Sequence, residues 1–127
     1  MTERELIEPT EALIDLRVLQ EFLDLLGSEG PQALHSIVET FLQETPPVVE
    51  DLGDALGRGD YGGAAWLAHR LKGSCASIGA RRLGARCSTL EAACNENQRP
   101  PVATYAAIVA DFTATRGALK SFLREVV

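Results

Sequence analysis

The sequence predicts an all-α protein: an up-and-down four-helix bundle with an additional short N-terminal helix. Three observations point there. Apolar residues recur every three or four positions along most of the chain. No stretch alternates with the period of two that a half-buried strand requires. Glycine and proline clusters cut the 127 residues into segments of helical length joined by short connections. Apolar residues make up 46% of the chain, enough for one domain with a real core. Residues 1–10 are polar and contain Pro9; they read as a flexible N-terminal tail, and 11–127 as a single domain.

The elements follow in order. Leu13 to Leu26 carries Leu16, Leu19, Phe22, Leu23 and Leu26 at helical spacing. Gly27 to Gly30 is a turn, and Pro31 suits the first turn of the next helix. That helix runs to about Glu44 on Leu34, Ile37, Val38, Phe41 and Leu42. Pro46 and Pro47 should break or sharply kink it, with Thr45 capping a new start. The apolar spacing continues through Val48, Leu52, Ala55 and Leu56, so two nearly collinear segments should form one wall. Gly57 to Gly59 ends this wall, and Asp60 is placed to cap the next helix. Gly79 ends that helix as a left-handed cap. A further helix from about Ala80 uses Leu83, Cys87, Leu90 and Cys94. Pro100 and Pro101 reset the chain before a last helix with Tyr105, Ile108, Phe112, Leu119 and Phe122.

Composition excludes several function classes. The net charge of −6 argues against general nucleic-acid binding. No apolar run approaches a membrane span and no signal peptide begins the sequence, so a cytoplasmic protein is expected. Cys75, Cys87 and Cys94 form neither a disulfide framework nor a metal-ligand pattern, and read as packing residues; no metal is expected. Charge is uneven. Residues 61–90 hold Arg70, Lys72, Arg81, Arg82 and Arg86 and no acid, so they carry +5 and the rest −11. Such a basic region attracts a phosphoryl group or an acidic pocket. Arg81, Arg82 and Arg86 serve equally well as solvated surface.

The segment AHRLKGSCASIGA, Ala68 to Ala80, stands at the centre of that region. On a helical wheel Ala64, Leu67, Ala68, Leu71, Cys75 and Ile78 form one apolar stripe. His69 and Gly73 each lie ~160° from Leu71, on opposite sides, and Ala76 ~140°. The imidazole therefore points outward among small neighbours, with Lys72 one turn along its flank. A neutral imidazole is a nucleophile near neutral pH. Phosphoryl transfer needs in-line approach and cations near the equatorial oxygens. Lys72 supplies the cation, and Gly73 removes a side chain from the approach. His35 is a control: Val38 and Glu39 follow it at the same offsets, and it reads as a surface or boundary residue.

The segment resembles the signature of histidine-containing phosphotransfer (HPt) domains: Ala-His-x-Leu-Lys-Gly-Ser, a small residue, then glycine five positions after the serine. His69, Leu71, Lys72, Gly73, Ser74, Gly79 and Ala80 match one by one, and Cys75 is a mild departure. The helix FLQETPPVVEDLGDAL before the motif, and Arg86, Cys87, Leu90 and Glu91 after it, extend the likeness to residues 13–126. The resemblance implies a phosphorelay intermediate that accepts phosphoryl on His69 from a receiver-domain aspartyl phosphate and passes it to another receiver aspartate. It implies receiver domains of a hybrid sensor kinase or a response regulator as partners, with Mg²⁺ held by the receiver and no cofactor on this chain. A monomer without kinase activity of its own is expected, since no glycine-rich phosphate loop appears. Arg70, Ser74 and Ala76 are possible supporting residues. Ser74 can instead bond back to the Arg70 carbonyl, the commoner habit of helical serines. Trp66 fits either a docking face or packing beneath the N-terminal helix. The main rival reading is a non-phosphorylated helical adaptor that works by docking alone; an acid-labile phosphate on His69 separates the two. A thiol or metal protein is a third.

Overall fold

The computed structural model describes residues 12–126; the expected tail, residues 1–10, lies outside them. The elements are α1 (Leu16–Leu26), a short 3-10 turn (Gly27–Glu29), α2 (Gly30–Gly57), α3 (Tyr61–Ile78), α4 (Arg81–Asn95) and α5 (Val102–Val126). No strand occurs among the described residues. Helices α2 to α5 close a ring in which each packs on its sequence neighbours and α5 returns to α2. Short connections force each pair antiparallel, so this is the expected up-and-down four-helix bundle. Helix α1 packs on α2 and α3.

The core is a file of apolar side chains from every helix, including Leu19, Val38, Leu52, Leu71, Leu83, Leu90, Ile108 and Leu119. The stripe read from the α3 wheel is the buried face: Ala64, Ala68, Leu71, Cys75 and Ile78 are inside, with Leu67 half-buried. All three cysteines are buried free thiols. Burial alone pushes the Cys75 thiol up to about 12, which leaves it an unreactive packing group at neutral pH.

The helix ends carry the capping chemistry. Asp60 accepts a hydrogen bond from the Gly63 amide at 2.9 Å and starts α3. Gly79, with φ 76°, ends it in the left-handed conformation, and the Ala80 amide donates to the Cys75 carbonyl. Helix α1 starts three residues later than the apolar pattern suggested, because Asp15 caps it by accepting from the Arg17 amide. Asp15 also ties α1 to the α3–α4 corner: its amide donates to the Gly79 carbonyl at 2.8 Å, and its carboxylate pairs with Arg81.

The expected break at Pro46 and Pro47, with its cap at Thr45, does not occur. α2 is a single unbroken helix of 28 residues, with Pro46 and Pro47 inside it and Thr45 buried mid-helix rather than capping a new start. Each interior proline costs about 3 kcal/mol locally, through a lost hydrogen bond and a ring clash. Both prolines face solvent, so water can serve the carbonyls they leave unpaired. Phe41 and Thr45 on one side, and Val49 and Leu52 on the other, bury one continuous face that holds the helix through them.

Candidate functional site

α3 presents His69 outward near its midpoint, with the side chain 65% exposed. The reason is the wheel: with Ala68 and Leu71 committed to the core, the residue beside Ala68 on the far side must face water. Gly73 follows one turn on, and a Cβ there would meet nothing within 4 Å. The way to the ring is open on that side. Ala76, a turn further, is exposed and small.

Lys72 lies on the flank, as expected, but it is not a free cation. The Glu91 carboxylate from α4 reaches between the two α3 side chains. Its Oε2 is 2.8 Å from His69 Nδ1, and its Oε1 accepts from Lys72 Nζ at 2.7 Å. The acid-free surroundings expected of residues 61–90 are therefore not acid-free in space. Hydrogen bonding from Lys72, more than that from His69, holds the Glu91 carboxyl below the usual carboxylate range, against the opposing effect of burial. An ionised carboxylate only accepts, so Nδ1 carries the hydrogen and the Nε2 lone pair is left free for attack. The second carboxylate oxygen keeps Lys72 beside the ring.

Glu91 is the residue that sequence reasoning missed; it entered only as part of the family likeness, without a role. The usable signal was its place on the flank of the α4 stripe, four residues after buried Cys87 and next to Leu90. Nothing in the spacing says that this flank faces His69, 22 residues away.

The other candidates divide. Ser74 Oγ donates to the Arg70 carbonyl at 3.3 Å, which is the local role. Arg70 is exposed, and its guanidinium lies over the Trp66 ring, 5.1 Å from the centroid. Trp66 itself is 60% exposed, so it does not pack beneath α1. Arg86 is committed to Asp111 of α5 at 2.9 Å, and Arg81 to Asp15, so two of the five cations serve the fold. His35 is exposed on α2, as expected. No cluster of three or more metal-ligating side chains occurs among the described residues. No helix there is long and apolar enough to cross a membrane.

An outward imidazole, a carboxylate behind it, a lysine one turn along and a glycine clearing its approach all stand on one face of a four-helix bundle. Residues 36–126 match the family model of the Hpt domain, well over half of the chain. This chain belongs to the Hpt domain family. It is a histidine phosphotransfer protein of the phosphorelay type. Two solved structures agree with the Hpt bundle. Histidine-containing phosphotransfer protein B (HptB) of Pseudomonas aeruginosa PAO1 is 25% identical, with a TM-score of 0.78 over 91% of this chain and 98% of that one. A rice protein assigned as a histidine-containing phosphotransfer protein is 21% identical, with a TM-score of 0.75 over 88% of this chain and 82% of that one, a likeness of fold. No curated protein sequence matches the chain. Hpt domains are phosphotransfer intermediates rather than kinases, and receiver domains are their partners. The family model begins inside α2, so α1 is an addition to the matched region.

Proposed function

We propose that His69 is the phosphoryl acceptor of this Hpt domain and that Lys72, Gly73 and Glu91 serve it. The observation that carries the reading is the exposed imidazole held through Nδ1 by Glu91, which leaves Nε2 to the incoming group. The Nε2 lone pair attacks the phosphorus of a receiver aspartyl phosphate. As the N–P bond forms, the bond from phosphorus to the carboxyl oxygen breaks, and its electron pair returns to the aspartate. The ring becomes cationic and keeps its Nδ1 hydrogen against Glu91. The reverse sequence delivers the group to another receiver aspartate. Lys72 exchanges its contact with Glu91 for a phosphoryl oxygen, a short movement for a flexible side chain. Gly73 lets the receiver come close enough for in-line attack.

The phosphoryl group comes from a partner, because the sequence has no glycine-rich phosphate loop with which to use ATP. The partners are receiver domains of a hybrid sensor kinase or a response regulator, with Mg²⁺ bound on the receiver and no cofactor on this chain. The carrier acts as a cytoplasmic monomer. Trp66 and Arg70, one turn before and one position after His69, extend the docking face. The test is label transfer from a phosphorylated receiver to the parent chain and to His69→Gln. Labelling of the parent alone supports the reading; equal labelling of both refutes it.

A further inference from the structure

We propose that the negative charge of Glu91, and not only its hydrogen bond, makes the phosphohistidine short-lived and ready to leave. The inference rests on His69 being the acceptor, as proposed above, and concerns what happens after the group has arrived.

A phosphoryl group on Nε2 departs with its bonding electrons left on that nitrogen. If Nδ1 still carries its hydrogen, the leaving group is a neutral imidazole. If that hydrogen has been lost, the leaving group is an imidazole anion, which is far poorer. The N–P bond is therefore labile in proportion to the fraction of rings that keep the Nδ1 hydrogen. Glu91 Oε2 lies 2.8 Å from that nitrogen. An opposite charge so close favours the cationic ring. The phosphorylated ring thus stays protonated to higher pH than it would beside a neutral partner. Arg70, next along α3, turns its guanidinium over the Trp66 ring. Lys72 from α3 touches the other oxygen of Glu91 and dilutes its charge, more so while it remains there than after it moves to the phosphoryl group. On α4, the Cys87 thiol is kept neutral by burial, its ionisation pushed well above the ordinary range. Asp111 of α5 is committed to Arg86. Hence the pair Glu91–Lys72 acts as a graded control: Lys72 leaving for the phosphoryl group frees Glu91 to hold the ring cationic.

Glu91→Gln separates charge from hydrogen bond, because the amide oxygen can still accept from Nδ1. Parent, Glu91→Gln and His69→Gln proteins are loaded with phosphoramidate, a small-molecule phosphodonor that requires no receiver. Loss of the phosphoryl group is then followed by phosphorus NMR from pH 5 to 10. The expected result is that the alkaline fall in the dephosphorylation rate moves about one pH unit to lower pH in Glu91→Gln. Above both midpoints the variant then holds its phosphoryl group about tenfold longer than the parent. Superimposable profiles would overturn the inference. So would a change in rate at every pH without a shift of the profile, which would assign Glu91 to positioning alone. Loading of His69→Gln to the level of the parent would overturn the acceptor assignment itself, and is recognised by that control.

Discussion

Glu91 divides one carboxylate between two side chains of the helix opposite, and this decides how each responds to substitution. Replacing His69 with glutamine removes an exposed ring and leaves Glu91 still paired with Lys72. The expected outcome is a melting temperature within a few degrees of the parent and no acceptance of phosphoryl from a receiver, measured on the same preparation. Lys72→Ala leaves Glu91 bonded to His69, so the ring stays oriented while the cation is lost. Lys72 is partly exposed and Glu91 largely covered, and the loss of their pair should cost about 1 kcal/mol of stability. Transfer should slow by much more than that stability change accounts for. A transfer rate equal to the parent's would leave Lys72 a surface charge tied to Glu91. The direction of His69, the flank position of Lys72 and the openness at Gly73 were all legible from the sequence, since each depends only on the angle between neighbours on one helix. The contact with Glu91 was not, since it depends on how two helices are turned against each other.

A glycine inside α3 and the glycine that caps it should behave in opposite ways. Gly73 is helical with open space where a Cβ would stand. Gly73→Gln should keep or slightly raise stability, as glutamine is the better helix former by roughly half a kcal/mol or more. It also places a long side chain on the approach to His69, where a displacement of about 1 Å can cost ~100-fold in rate. Transfer should fall while the melting temperature holds; an unimpaired rate would mean the glycine is not there for access. Gly79 has φ 76°, and a Cβ would lie 2.9 Å from the Asp15 carbonyl oxygen and 3.1 Å from Val18 Cβ. Gly79→Ala combines a strained backbone with a clash against the start of α1. A loss of about 1–2 kcal/mol or more is expected from the backbone alone, read by urea unfolding. The cap at Gly79 was legible because glycine at a helix end has a local cause. The unbroken α2 was not. A rule that counts the local cost of Pro46 and Pro47 does not see the buried face on either side of them that outweighs it.

The whole molecule is a frame that keeps α3 and α4 in register, because the site is made where they meet. Arg86 and Asp111 pin α4 to α5 through a largely buried ion pair. Asp111→Ala strands the guanidinium and should cost about 1–3 kcal/mol in chemical unfolding. Loss of phosphotransfer should follow only as far as the protein unfolds, since neither residue touches His69 or Glu91. A stability equal to the parent's would show that the pair is worth no more than its solvation. The four-helix class was legible from periodicity and short connections, while the partner of each arginine became visible only in the folded chain. The central claim is that Nε2 of His69 receives the phosphoryl group while Glu91 holds Nδ1. It is tested most directly by nitrogen–phosphorus coupling in the NMR spectrum of protein labelled with ¹⁵N-histidine and phosphorylated by a receiver. The account requires coupling to Nε2 of His69; coupling to Nδ1, or to His35, would contradict it.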